Sequence, residues 1–191
     1  IDIFDRIVNI AKGAALGTGT TMDFEMIGGT HELLPNDVLQ QLMHRSLTQV
    51  GGFDYTIKEN EFAYSIAETL GKPLYMDYVT GVEPYDPNAL PMGSTDVGDV
   101  SFTVPTAGMG AATWVPGTPA HSWQAVAAGG TSIGNKGMLV AAKTLALTAF
   151  KLLDNPKILD QAQAEFLKKR GADFKYIPLL GERSPALDYR N

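Results

Sequence analysis

Apolar and polar positions recur at two different periods along this chain. Over residues 2–16, Ile3, Ile7, Ile10 and Ala14 fall at helical spacing, as do Phe4, Val8, Ala11 and Ala15. That predicts a helix closed by Gly17 and Gly19. Thr21-Met22-Asp23-Phe24-Glu25-Met26-Ile27 then alternates apolar and charged residues, the period of a half-buried strand with Met22, Phe24 and Met26 facing inward. The helical period returns after Pro35-Asn36. Leu39, Met43 and Leu47 make one stripe, opened by Asp37 and Gln40 in capping-box spacing. Phe62, Ile66 and Leu70 make the next, opened by Thr56 and Glu59 and closed by Gly71 and Pro73. Residues 72–130 lose this period and hold most of the prolines; short strands are expected at 74–79 and 111–115. A long helix follows over 132–153, with Met138, Ala142, Leu145, Ala149 and Leu153 on one face. Asn155 and Pro156 read as N-cap and first position of a last helix that Gly171 ends.

Composition narrows the function classes. The chain has 191 residues, 45% hydrophobic and 19% charged, as a globular protein does. Its 15 Lys and Arg against 21 Asp and Glu give a net charge of −6, which argues against nucleic acid or an anionic membrane as the main partner. There is no cysteine, so disulfides, a thiolate zinc site and a cysteine nucleophile are excluded. Any metal ligand must be histidine or carboxylate. The chain begins Ile1-Asp2-Ile3 with no initiator methionine or basic leader, and the expectation is that it is cut from something longer. One helix and one strand cannot bury their own apolar faces. Residues 1–35 are therefore expected to belong to a larger αβ layer, with a boundary near residue 35.

Long irregular segments in compact proteins tend to be functional, and the candidate chemistry clusters there. Gly130-Thr131-Ser132-Ile133-Gly134 fits the G-x-S-x-G nucleophile elbow, but no histidine follows Ser132 to act as its base. A helix cap followed by a first turn of small residues is the better reading. Residues 129–136 miss the P-loop pattern because Asn135 separates Gly134 from Lys136. His44 lies on the polar side of its helix, as a solvated histidine would. His31 lies at the domain boundary, as a hinge residue bonded locally; a role in a cleft stays open there, since hinges often border clefts. His121 stands in Pro116-Gly117-Thr118-Pro119-Ala120-His121-Ser122-Trp123. Two prolines restrict the backbone that presents its imidazole, a good ligand for zinc or manganese; a structural histidine is the competing reading. In Gly93-Ser94-Thr95-Asp96-Val97-Gly98-Asp99-Val100-Ser101, Asp96 and Asp99 are one helical turn apart. A metal loop, a helix cap and a solvated turn all stay open there.

These two nine-residue stretches (Gly93 to Ser101 and Pro116 to Gln124), with Leu34-Pro35-Asn36 and Gly137-Met138-Leu139, resemble the C-terminal part of a metal-dependent amidohydrolase and peptidase family. Glutamate carboxypeptidase and hippurate hydrolase belong to it. The resemblance implies an α/β fold: the C-terminal half of a zinc-peptidase-like catalytic domain, a mixed sheet flanked by helices, over residues 36–191. Residues 1–35 would be the last helix and strand of an α+β lid that pairs with a second subunit, in a homo-dimer or hetero-oligomer. It implies a cytoplasmic enzyme holding two zinc or manganese ions and cleaving an amide bond to an amino acid, with aminobenzoyl-glutamate as the favoured substrate. His121 falls on the family's late metal ligand. Gly93, Ser94, Thr95, Asp96 and Asp99 fall on a loop lining the substrate cleft; Thr95 stands where the wider family often has glutamate. The remaining ligands and the general base would lie in an N-terminal part not present, so this chain alone is expected to bind no metal and to be inactive. The alternative is a non-catalytic chain used for assembly or ligand binding.

Overall fold

The structure is a computed structural model that describes residues 2–89, 93, 95–181, 184 and 187. The expected α/β architecture is not what forms: among the described residues every regular element is a helix, and there is no strand and no sheet. The reason is visible at each predicted strand. At 74–79 the amides of Val79 and Thr80 both donate back to the Met76 carbonyl, at 2.8 and 3.1 Å, and wind Asp77–Thr80 into a helical turn. At 111–115 Thr113 N donates to the Ala111 carbonyl two residues back, at 2.8 Å, a γ-turn that bends the chain out of strand geometry. Residues 21–27 belong to no strand. Alternation selects a face, but a ladder also needs a partner strand, which no local pattern supplies.

The chain divides into two units, residues Ile1–Thr30 with Ile177–Asn191, and His31–Tyr176. The first holds α1 (Asp2–Thr18), which has no buried residue. It runs through Gly17 and stops before Gly19, whose φ is 67°. Phe24 meets the edge of Phe4 with ring centres 5.8 Å apart, and Met22 and Met26 are half-buried. Gly29 lies against the Leu179 side chain, where a Cβ would have no room.

The second unit holds α2 (Asp37–Val50), α3 (Ile57–Leu70), α4 (Asp77–Thr80), α5 (Val97–Ser101), α6 (Trp123–Gly129), α7 (Ser132–Asp154) and α8 (Lys157–Arg170). Helices α2, α3, α6 and α7 start where side-chain acceptors meet free amides. Asn36, not Asp37, caps α2, its Oδ1 accepting from Leu39 N at 3.0 Å. The capping box of α3 is complete: Thr56 accepts from Glu59 N, and the Glu59 carboxylate accepts from Thr56 N. Gly71, in the left-handed region at φ 60°, closes that helix. Thr131 caps α7; α8 begins with no side-chain cap.

α2 packs on both α7 and α8, and α6 packs on α7. One core joins Tyr55, Ala63, Ile66, Val79, Val115, Ala128 and Ile133. Around α2 the buried residues are Leu42, Met43 and Ser46, facing Thr144 and Thr148 of α7 and Ala162 and Phe166 of α8. The buried face of α7 is thus Ile133, Gly137, Thr144 and Thr148, while Met138, Leu145 and Leu153 are exposed. Small residues allow close approach: a Cβ on Gly137 would meet the Ala112 carbonyl. The two buried threonine hydroxyls of α7 are satisfied within the helix, Thr144 donating to the Val140 carbonyl and Thr148 to the Thr144 carbonyl, both at 2.8 Å. Among the described residues no helix is long and apolar enough to cross a membrane.

Candidate functional site

The His121 loop is built by fixing its neighbours. Val115 is buried, and Thr118 N closes a turn on its carbonyl at 3.1 Å. Gly117 takes φ 84°, a conformation that favours glycine. Ser122 caps α6, accepting from Ala125 N at 3.2 Å, and its hydroxyl also donates to the Pro119 carbonyl at 2.7 Å. Gln124 is buried and donates to the Thr69 hydroxyl at 3.3 Å. The fold therefore uses Gly117, Ser122, Gln124 and Ala125 as anchors. It has no evident packing use for His121 or Trp123, which are exposed.

His121 sits one position before the cap with φ 59°, the single left-handed non-glycine residue among those described. Histidine is among the residues enriched there, and a side chain held so tends to be at a working site. Its imidazole has no hydrogen bond or ion pair among the described residues. It lines an open groove of about 390 Å³ with Trp114, Ser122, Trp123, Ala125 and Val126.

The acidic loop behaves differently. Its second half holds α5 against residues 31–34. A Cβ on Gly98 would overlap the His31 carbonyl. The Asp99 carboxylate accepts from His31 N at 3.4 Å and from the Tyr176 hydroxyl at 3.2 Å. Ser101 is buried, accepts from Leu34 N at 2.9 Å and donates to the Gly98 carbonyl at 2.6 Å. Thr95 accepts from Val97 N at 3.2 Å. Asp96 is exposed, without a side-chain bond among the described residues. Gly93 is exposed at φ 143°; Ser94 lies outside the described residues. None of Gly93, Thr95, Asp96 or Asp99 lines the His121 groove. Among the described residues no three His, Asp or Glu side chains converge as a metal-binding group.

The other histidines are engaged. His44 is half-buried rather than solvated, its Nε2 2.9 Å from the Glu83 carbonyl and its ring against Tyr85. His31 packs among Phe102, Phe174 and Tyr176.

Two polar centres escaped the sequence reading. Glu59 is buried and receives Ser132 Oγ, Lys136 Nζ and Thr56 N, each at 2.6 Å. Burial alone would raise its pKa, but these donors outweigh it and hold the carboxyl down at about 2. Ser132 is thus spent on a carboxylate too acidic to serve as a base, which removes the nucleophile-elbow reading. The i, i+4 spacing of Ser132 and Lys136 was the available signal. The second centre joins α8 to the start of α2. Glu165 accepts from Asp37 N and Val38 N at 2.8 and 2.9 Å, and Lys169 bridges Asp37 and Glu165 at 2.7 Å each.

No protein-family model matches the chain. No solved structure matches it significantly. Among curated proteins it is similar to one of the subunits of p-aminobenzoyl-glutamate hydrolase from Escherichia coli (strain K12). The two are 35% identical over 189 residues, which takes in 85% of this chain and 39% of that protein. The resemblance drawn from the two nine-residue stretches and this likeness agree, and the chain spans about two fifths of its relative's length.

Proposed function

We propose that this chain is the C-terminal part of a metal-dependent amidohydrolase that cleaves an amide bond to an amino acid, p-aminobenzoyl-glutamate being the substrate. The observation carrying the reading is His121: an imidazole without a partner among the described residues, held in a left-handed conformation by anchored neighbours, in a chain similar to a hydrolase subunit. One imidazole is not a metal site, since a catalytic zinc takes about three protein ligands and an open position. The described residues do not complete that set, and no step of hydrolysis is assigned to them. In this reading the other ligands and the general base come from outside the chain. Zinc or manganese held there, two ions per full-length subunit, would polarise the amide carbonyl and activate water. Gly93, Ser94, Thr95, Asp96 and Asp99 shape the cleft. Residues 1–35 belong to a lid that pairs with a second subunit, a copy or a related chain. The setting is the cytoplasm.

In the full-length enzyme, His121→Ala should lower metal content and turnover together, by about tenfold or more. Unchanged metal stoichiometry and rate would remove His121 from the site. The incomplete ligand set favours a second reading, a chain that binds or assembles without activity of its own. Metal analysis and an amidase assay separate the two: the metal-site reading requires both signals in the full-length protein and neither in this chain alone.

A further inference from the structure

We infer that the groove beside His121 is the acyl-side subsite of this hydrolase and takes a flat, uncharged aromatic ring against the indoles of Trp114 and Trp123. The inference rests on the reading just given and adds which side of the amide this chain recognises.

The chain has two tryptophans, and both line this one groove. Trp123 is 60% exposed and Trp114 38%. The loop is anchored by Ser122, Gln124 and Ala125, so neither indole is needed to hold it. The rest of the lining is chemically selective. Ala125 and Val126 are apolar, and the Ser122 hydroxyl is engaged on both sides. Among the described residues no carboxylate, lysine or arginine lines the groove. A free amino acid would find no counter-charge there, whereas an aromatic ring gains stacking that a saturated ring of the same size does not. About 390 Å³ suits a ring with its carbonyl substituent rather than an extended peptide. The relative's name carries such a group, p-aminobenzoyl, on the acyl side of the amide. His121 shares the concavity, which puts the acyl side of the bond and the proposed metal ligand on one wall.

Two tryptophans give two indole N–H resonances, so the ¹⁵N-labelled chain reports its own groove. It is titrated with p-aminobenzamide, with cyclohexanecarboxamide and with glutamate. The subsite requires both indole signals to move saturably with p-aminobenzamide, and neither to move with the other two at equal concentration. In Trp123→Leu the Trp114 signal should remain at its folded position, with p-aminobenzamide affinity weakened roughly three- to tenfold. Equal response to the saturated amide, no response up to the solubility limit, or unchanged affinity in Trp123→Leu overturns the inference. Should that variant not fold, the three-ligand comparison on the unsubstituted chain still decides. Ring-selective binding in an enzyme without metal or turnover would defeat the hydrolase reading while leaving the ring site standing. Turnover without ring-selective binding would defeat the subsite alone.

Discussion

At the scale of single residues, the clearest energetic statement concerns Glu59. Its carboxyl is held at about 2, down from 4.5, by Lys136, Ser132 and Thr56 acting against its own burial. A depressed carboxylate contributes stability above its unfolded pKa and loses it as pH falls through the folded one. The contribution is therefore full above about pH 4.5 and fades toward pH 2. Glu59→Gln should cost about 2 kcal/mol at neutral pH by weakening three charge-assisted bonds. Paired denaturant titrations should show the gap between the two proteins closing as pH drops below 4.5. A gap independent of pH would mean that the carboxylate's charge contributes nothing. Residue scale is also where the candidate site is most legible. His121 stood out because prolines and a tryptophan surround it in the sequence. Its left-handed backbone and the separation of anchors from exposed side chains could not be read there, because both depend on where Val115, Thr69 and Ala125 lie in space.

At the scale of elements, the helices are legible in the sequence, whereas the strands it suggests do not form among the described residues. The Thr56 and Glu59 box, Gly71 and Thr131 act within four residues of each other or of a helix end, so local sequence specifies them. The expected strands at 21–27, 74–79 and 111–115 would each need a partner, which alternation does not encode. The face of α7 was misread for another reason. Its large side chains suggest the stripe through Met138 and Leu145, whereas close packing selects Gly137, against the Ala112 carbonyl, and Thr144 and Thr148, on the helix that packs against α2. α5 makes the testable case for such approach. Gly98→Ala would drive a Cβ into the His31 carbonyl, a backbone atom that cannot swing aside. It should destabilise the protein by about 2 kcal/mol or more and loosen the Ser101 bond to Leu34 N. Thermal unfolding, with amide exchange at Leu34, measures both effects; an unchanged melting temperature would contradict the packing described.

For the whole molecule, protection should divide along the two units. α1 contributes no buried residue, while α2, α3 and α7 bury residues along their length. Amide exchange in the chain on its own should therefore be far faster in α1 than in α2 or α7. Comparable protection in α1 would mean that its apolar face is covered. The Glu165 clasp on α2 carries a consequence in time. The carboxylate that accepts from Asp37 N is made 128 residues after it. At ribosomal speed that gap is on the order of ten seconds. Throughout it the first turn of α2 lacks two acceptors, and for most of it the apolar side of α2 lacks both α7 and α8. The emerging chain must therefore hold a half-finished helix open to chaperones until its last helix arrives, and truncation before residue 165 should leave α2 without its lock.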